Sequence, residues 1–149
     1  MQTDALLAHH RVILCHYDSY STALVFARWP DKSLLWPGPL PEGAVPAELT
    51  PVQEGEAVRQ AAIAALALNG DDVVLMPEFD ECFKVGDAAL RVHLLRFTSF
   101  EAPGSVIEPA GGVFLPLSGL RGSAPLELGL LREVFNLMVG GTGRQRSTA

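Results

Sequence analysis

A proline-rich stretch divides this sequence into parts that must fold differently. Residues 37–51 contain five prolines and two glycines. Proline fixes φ and lacks a backbone donor, so we expect no regular helix or strand to run through this stretch. It predicts a long irregular loop, and a loop beyond the usual ~4–6 residues indicates a functional segment or an insertion.

The segments on either side of the loop have opposite character. Short runs rich in β-branched and aromatic residues come before it, and the first two predict a hairpin. A helix is predicted after it, with Thr50 placed to cap the first turn and Gly70 placed to end the helix. The three strands and the helix are predicted over residues 11–17, 22–29, 33–36 and 50–68.

The predicted helix has an unusual second half. Every residue from 61 to 68 is Ala, Ile or Leu. A helix that is apolar all round is typically buried on several sides. We therefore expect this helix to lie deep in the fold, with its alanines close to a sheet.

The remainder of the sequence is β-rich and closes with a second helix. Gly86 and Asp87 form a favoured turn between two runs of strand-forming residues, which predicts a second hairpin. The last helix shows apolar residues at three- and four-residue steps. These elements are predicted over residues 79–85, 89–100, 113–117 and 126–139.

The composition favours one folded domain. The chain has 149 residues, of which 48% are hydrophobic and 19% are charged, so it can bury a core without disulfides or metal. We expect the domain to span residues 11–139, after an N-terminal extension over residues 1–10 and before a flexible tail over residues 140–149.

Charge, hydropathy and cysteine spacing exclude several classes of function. The net charge is −6 and no basic stripe is present, which argues against nucleic-acid binding. No apolar run approaches the ~18–20 residues needed to span a bilayer, so no membrane partner is expected. Cys15 and Cys82 lie far apart without a CxxC spacing, and they are expected to be free buried thiols of a cytoplasmic protein.

The order of these elements resembles that of the Nudix (MutT-like) hydrolases. The local match is best over residues 24–38, where a strand leads through Trp36 to the turn at Gly38. Gly55 and Glu56 resemble the entry to the family's catalytic helix. The resemblance covers residues 11–139 and implies an α/β fold (α+β in strict usage), with a mixed sheet flanked by helices.

The resemblance also implies which chemistry to look for. Nudix hydrolases share the box G-x5-E-x7-R-E-U-x-E-E-x-G-U, in which U is aliphatic and the helical glutamates hold Mg²⁺ or Mn²⁺. With Glu56 at the first glutamate, the Arg-Glu pair falls on Ala64 and Ala65, and the Glu-Glu pair falls on Leu68 and Asn69. Apolar side chains offer no hard oxygen ligand for Mg²⁺.

This mismatch leads to the first functional hypothesis. The chain is a Nudix-like domain that has lost metal-dependent diphosphate hydrolysis and needs no metal or other cofactor. It would act instead as a binding module for a nucleotide-like small molecule or a partner protein, or as a homodimerising domain.

The second hypothesis is a divergent hydrolase that cleaves a nucleoside diphosphate linked to another moiety. Its Mg²⁺ or Mn²⁺ would be held by acids gathered from outside the box. Glu54 and Glu56 alone would not suffice, because two helical residues this far apart in sequence face roughly 200° apart. The candidate acids are Glu42, Glu54, Glu56, Asp80 and Glu81.

Four further residues are candidates for ligand contacts. Trp29, Trp36 and Phe83 could stack on a base, but packing in the core or a loop explains them without a ligand and is the favoured interpretation. Gly38 lies in the turn that the resemblance places before the catalytic helix. The histidines of the predicted strands, His16 and His93, have no further ligand spacing that would favour a zinc site.

Overall fold

The computed structural model describes residues 7–18, 20–21, 23–48, 54–79 and 81–140, and it shows a single mixed α/β domain. The strands are β1 (His10–Asp18), β2 (Ala23–Arg28), β3 (Leu35–Trp36), β4 (Val45–Ala47), β5 (Val73–Leu75), β6 (Glu81–Val85), β7 (Ala88–Phe97) and β8 (Val113–Pro116). The α-helices of the described residues are α1 (Gly55–Leu66), the single turn α2 (Gly104–Ile107) and α3 (Pro125–Phe135).

One mixed sheet of eight strands organises the described part of the chain. The hydrogen-bonded order is β4-β6-β7-β1-β2-β8, while β3 pairs with β1 and β5 pairs with β7. Strands β1 and β7 are parallel, and the other pairings are antiparallel. Both predicted hairpins, β1–β2 and β6–β7, are confirmed.

The parallel pair β1–β7 forms the centre of the core. The four consecutive residues from Val12 to Cys15 have no solvent exposure at all. Such a continuous apolar run is typical of a strand that is covered on both faces. Side chains alternate between the faces, so Val12 and Leu14 join the cluster under α1, while Ile13 and Cys15 join the cluster under α3.

Helix α1 covers one face of the sheet through a single stripe. Val58, Ala62 and Leu66 pack into the core, whereas Ala64 and Ala65 are exposed. The expectation that this helix is buried on several sides is therefore wrong, because Ala64 and Ala65 face solvent, where alanine is favoured as a good helix former. The expectation that alanines lie close to the sheet holds for Ala61 and Ala62, which are buried.

The ends of α1 also differ from the prediction. The helix begins at Gly55 and ends at Leu66, where Ala67 adopts a left-handed conformation with φ of 56°. The glycine that was expected to end the helix, Gly70, lies three residues further on in a short 3₁₀ turn. The predicted cap, Thr50, lies outside the described residues.

The described part of the proline-rich segment, residues 37–48, is irregular except for one short strand. Val45–Ala47 pairs antiparallel with β6 at the edge of the sheet, with Pro46 opposite Phe83. The expectation of no regular structure before residue 51 is therefore wrong at this point. Proline is tolerated there because an edge strand leaves one side of its backbone unpaired.

Helix α3 covers the opposite face of the sheet and is tied to it by a buried acid. Leu130, Leu131 and Val134 pack into the core, as their spacing predicts. The carboxylate of Glu127 accepts hydrogen bonds from the Ser33 hydroxyl at 2.6 Å and from the Leu34 amide at 3.2 Å. Beyond Phe135 the chain continues as a π-helix over Asn136–Gly140.

Candidate functional site

The amino ends of the parallel strands bring two histidines together. In the β1–β7 register, His10 lies beside Arg91, and Val12 lies beside His93. Alternation directs His10, Arg91 and His93 to the α1 face of the sheet. The Nδ1 atom of His10 lies 2.8 Å from the Nε2 atom of His93, and both side chains are buried.

Glu54 extends this pair towards solvent. It immediately precedes α1, but its side chain makes no capping hydrogen bond. Its Oε1 atom lies instead 3.2 Å from Nε2 of His10, and half of the Glu54 side chain is exposed. The three side chains therefore form one hydrogen-bonded row from the surface to the interior.

The row fixes where the protons can lie. A carboxylate only accepts, so Nε2 of His10 must donate to Glu54. When His10 is neutral, its Nδ1 is an acceptor and Nε2 of His93 must donate to it. When His10 is protonated, its Nδ1 donates and Nε2 of His93 accepts. Both hydrogen bonds can thus form whether His10 is neutral or protonated.

Burial sets the charge of His10. Desolvation lowers the pKa of His10 below its ordinary value, and electrostatic repulsion from Arg91 acts in the same direction. The carboxylate of Glu54 opposes this shift but does not cancel it. His10 is therefore neutral at pH 7, with Nε2 as its donor to Glu54.

A cleft of about 390 Å³ opens over this row, and we call it the histidine cleft. The row contributes Glu54 and His10 to its lining, and the turn between β6 and β7 contributes Asp87. Arg91 also lines the cleft and donates a hydrogen bond to Sγ of Cys82 at 3.3 Å. His9, Ala88 and Ala89 complete the lining. The cleft thus presents a cationic donor, Arg91, and two anionic acceptors, Glu54 and Asp87.

The acids of the hydrolase hypothesis are placed apart where the structure describes them. Glu56 accepts hydrogen bonds from Arg59 and Gln60, each at 2.8 Å. The Gln60 amide, followed by the Arg59 guanidinium, holds the pKa of the Glu56 carboxyl below its usual value. This surface cluster leaves Glu54 as the acid of α1's first turn that faces the cleft.

The other candidate acids lie elsewhere. Glu81 is opposite Val92 and so points to the α3 face, across the sheet from Glu54. Glu42 is exposed in the proline-rich segment, and Asp80 lies outside the described residues. Across the ranges that the structure describes, no three His, Cys, Asp or Glu side chains are grouped so as to hold a metal ion.

The aromatic candidates are part of the two cores. Trp29 is buried under the α1 face, and Phe83 is buried under the α3 face. Trp36 packs partly exposed against the α1 cluster. The carbonyl of Gly38 accepts a hydrogen bond from Nε of Arg11 at 3.0 Å. Trp29 and Trp36 therefore lie on one side of the sheet and Phe83 on the other, and the burial of Trp29 and Phe83 favours their packing interpretation.

Sequence reasoning missed the histidine row. It compared His93 with His16, but Nε2 of His16 lies 2.8 Å from the carbonyl oxygen of Ser99, at the other end of the strands. His10 was assigned to an extension, although it is the first residue of β1. The adjacent His9 and His10 were the available signal, but only the parallel register shows that His93 is the partner.

No protein-family model matches this sequence, and no curated protein shows significant similarity to it. Within the described ranges, no helix is both long and apolar enough to cross a bilayer.

Proposed function

We propose that this protein is a divergent Nudix-like domain that binds a small, polar, nucleotide-like ligand in the histidine cleft and does not hydrolyse it with a metal. The order of elements supports the family assignment. Two paired strands, a short third strand and a proline-rich loop precede α1, and a hairpin, a strand and α3 follow it.

The placement of the carboxylates carries the functional part of the proposal. Metal-dependent hydrolysis of a diphosphate needs several carboxylate oxygens converging on one ion. Here Glu54 is directed to His10, and Glu56 is directed to Arg59 and Gln60. The helix positions that match the box, Ala64 and Ala65, present methyl groups to solvent.

The cleft itself suits a polar ligand of nucleotide size. Its volume of about 390 Å³ falls in the range of small-molecule sites. The Arg91 guanidinium can meet a phosphate or carboxylate, while Glu54 and Asp87 can accept hydrogen bonds from hydroxyl or amino groups. A neutral His10 behind Glu54 keeps that carboxylate oriented without cancelling its charge.

Binding measurements on the full chain test the proposal. We expect nucleoside diphosphates and their sugar derivatives to bind equally well with Mg²⁺ and with EDTA, by calorimetry. Glu54→Gln and Arg91→Met should each weaken binding by about tenfold, as expected for lost charge-assisted hydrogen bonds. The exposed α3 residues Glu133 and Arg132 supply matched controls, because Glu133→Gln and Arg132→Met change the same charges away from the cleft.

A turnover assay distinguishes this proposal from the hydrolase hypothesis. We expect no release of phosphate or nucleotide from the same panel with Mg²⁺ or Mn²⁺. Turnover that is abolished by EDTA and by Glu56→Gln would overturn the proposal. Turnover that survives Glu56→Gln but is lost in the double variant Asp80→Asn with Glu81→Gln would establish the divergent hydrolase instead.

A further inference from the structure

A second pocket lies at the opposite end of the parallel strands. Tyr17 and Asp18 end β1, and Thr98, Ser99 and Phe100 follow β7, so their neighbourhood is the carboxyl end of both strands. These residues line a pocket of about 180 Å³ together with Arg96 and Tyr20. Ligands of open α/β sheets commonly bind beyond the carboxyl ends of parallel strands.

Arg96 lines this pocket and has one side-chain nitrogen that no described residue pairs with. Its Nε atom is buried and has no hydrogen-bond partner among the described residues. The nearby carboxylate of Asp18 is already engaged, since its two oxygens accept hydrogen bonds from the Tyr20 amide and the Ser21 hydroxyl. Buried donors are nearly always paired in folded proteins, so the Nε atom of a residue that lines a pocket and has no partner indicates a missing acceptor.

The buried thiol on the same face does not supply that acceptor. Cys15 lies beside Arg96 in the β1–β7 register. Burial raises the pKa of Cys15 to about 12, although the charge of Arg96 acts in the opposite direction. The thiol therefore remains neutral, and it does not balance the charge of Arg96.

Two exposed aromatic rings flank the pocket. The side chains of Tyr20 and Phe100 are 89% and 79% exposed, and their ring centroids are 6.5 Å apart. Both lie on segments that follow strand ends, where polar turn residues would serve folding equally well. Aromatic rings beside a guanidinium can stack on a planar group while the guanidinium binds an attached anion.

We infer that this pocket binds the oxyanion of a small planar ligand, either a carboxylate or a phosphate, with Arg96 as its counter-ion and Tyr20 and Phe100 as its stacking surface. The pocket is too small for a whole nucleotide, so the site is distinct from the histidine cleft and does not rest on the function proposed for it. The nearby Asp18 carboxylate limits the positive potential, and the aromatic contacts are therefore needed for binding.

Titration of the ¹⁵N-labelled full chain tests this inference by NMR. The probes are benzoate, phenyl phosphate and the uncharged benzamide. We expect saturable shifts at the amides of Tyr20, Ser99 and Phe100 with at least one of the two anions, and none with benzamide. The benzoate and phenyl phosphate arms decide between carboxylate and phosphate. Absence of saturation with both anions, or equal shifts with benzamide, would overturn the inference.

Single substitutions test which side chains contact the bound anion. Arg96→Gln and Tyr20→Ala should each weaken binding of the preferred anion by about tenfold or to below detection. Arg132→Gln and Phe135→Ala remove an arginine and an aromatic ring from the exposed surface of α3 and should leave binding unchanged. If Arg96→Gln does not fold, the exposed variant Tyr20→Ala decides: unchanged affinity in that variant contradicts the inference.

Removing a negative charge from the pocket distinguishes binding at this site from general attraction of anions to the protein. Asp18→Asn removes a negative charge from the pocket while keeping an oxygen that can accept the Tyr20 amide hydrogen bond. It should strengthen anion binding by a few-fold, because like-charge repulsion is relieved. Unchanged or weaker binding in the folded Asp18→Asn variant would contradict the proposed position of the anion.

Discussion

The two ends of the β1–β7 pair differ in whether their buried polar atoms have hydrogen-bond partners. At the amino end, His10 has partners on both ring nitrogens, Glu54 and His93. At the carboxyl end, the Nε atom of Arg96 is buried with no partner in the described part of the chain. The strands and their register are shared, so the difference arises from what surrounds each end.

Neighbouring segments account for this difference. The start of α1 delivers the Glu54 carboxylate to the amino end, on the α1 face. At the carboxyl end, the available carboxylate of Asp18 is used within its own turn. A satisfied row holds its geometry without a ligand, whereas an unpaired donor gains a hydrogen bond when a ligand arrives. The comparison thus predicts a larger loss of stability from altering the hydrogen-bonded row at the amino end than from altering Arg96 at the carboxyl end.

Removing His10 should give the largest change in stability. His10→Leu leaves Nε2 of His93 without this partner and removes the contact of Glu54, so we expect a loss of about 1–3 kcal/mol in the free energy of unfolding. Urea denaturation at about pH 8, where His10 is neutral, measures it. His9→Leu is the control, because His9 is exposed and adjacent. A loss in His9→Leu as large as in His10→Leu would show that the row has no special role.

Acidification should affect the amino end next. Because the pKa of His10 is lowered in the folded state, the unfolded state binds the proton more readily. The contribution of His10 to stability is thus complete above its unfolded pKa of about 6.5, and it is lost as the pH falls towards the folded pKa. The difference in unfolding free energy between wild type and His10→Gln should shrink over this interval.

The effect of Glu54 on the pKa of His10 has a direction that can be measured. Its carboxylate raises the pKa of His10, so Glu54→Gln should lower that pKa further. NMR titration of the His10 ring reports the pKa directly. An unchanged or higher pKa in Glu54→Gln would mean that the 3.2 Å contact does not persist in solution.

Replacing Arg96 at the carboxyl end by a neutral residue should change the free energy of unfolding only slightly, and any change should be a gain. Arg96→Met keeps an apolar stem but removes the buried, unpaired donor. We expect stability within about 0.5 kcal/mol of wild type, or a slight gain, because the buried Nε atom has no hydrogen-bond partner among the described residues. Thermal and urea unfolding in a buffer without carboxylate or phosphate measure this. A loss as large as that of His10→Leu would erase the difference between the two ends.

The sequence predicted the fold well where local pattern decides it. The runs that form β1, β2 and the β6–β7 hairpin, and the apolar spacing of α3, are local signals and gave correct elements. The extent of α1's burial was not predictable, because Ala64 and Ala65 are compatible with either a core or a surface. Short edge pairing, as at Pro46, depends on a distant partner strand.

The candidate sites were less predictable for a related reason. Glu54 was a candidate, but its partner His10 lies far from it in sequence and was assigned to an extension. Parallel strands place residues side by side across long separations, and no local pattern encodes that register. Arg96 carries no sequence signal at all: its significance lies in the partner that its buried nitrogen lacks.

The smallest predicted effect concerns Glu56, which tests whether the first turn of α1 belongs to the surface or to a site. Its side chain is 64% exposed and is bound by Arg59 and Gln60 of the same helix. Surface pairs of this kind contribute little, so Glu56→Gln should cost no more than about 0.5 kcal/mol. The lowered pKa of Glu56 implies that this contribution is present above the carboxyl's usual pKa and is lost as the pH falls through the folded value. Glu56→Gln should therefore converge with wild type in acid, while ligand affinity in the histidine cleft stays unchanged. A tenfold loss of affinity in this variant would place Glu56 in the site and join the two acids of the first turn, which the structure separates.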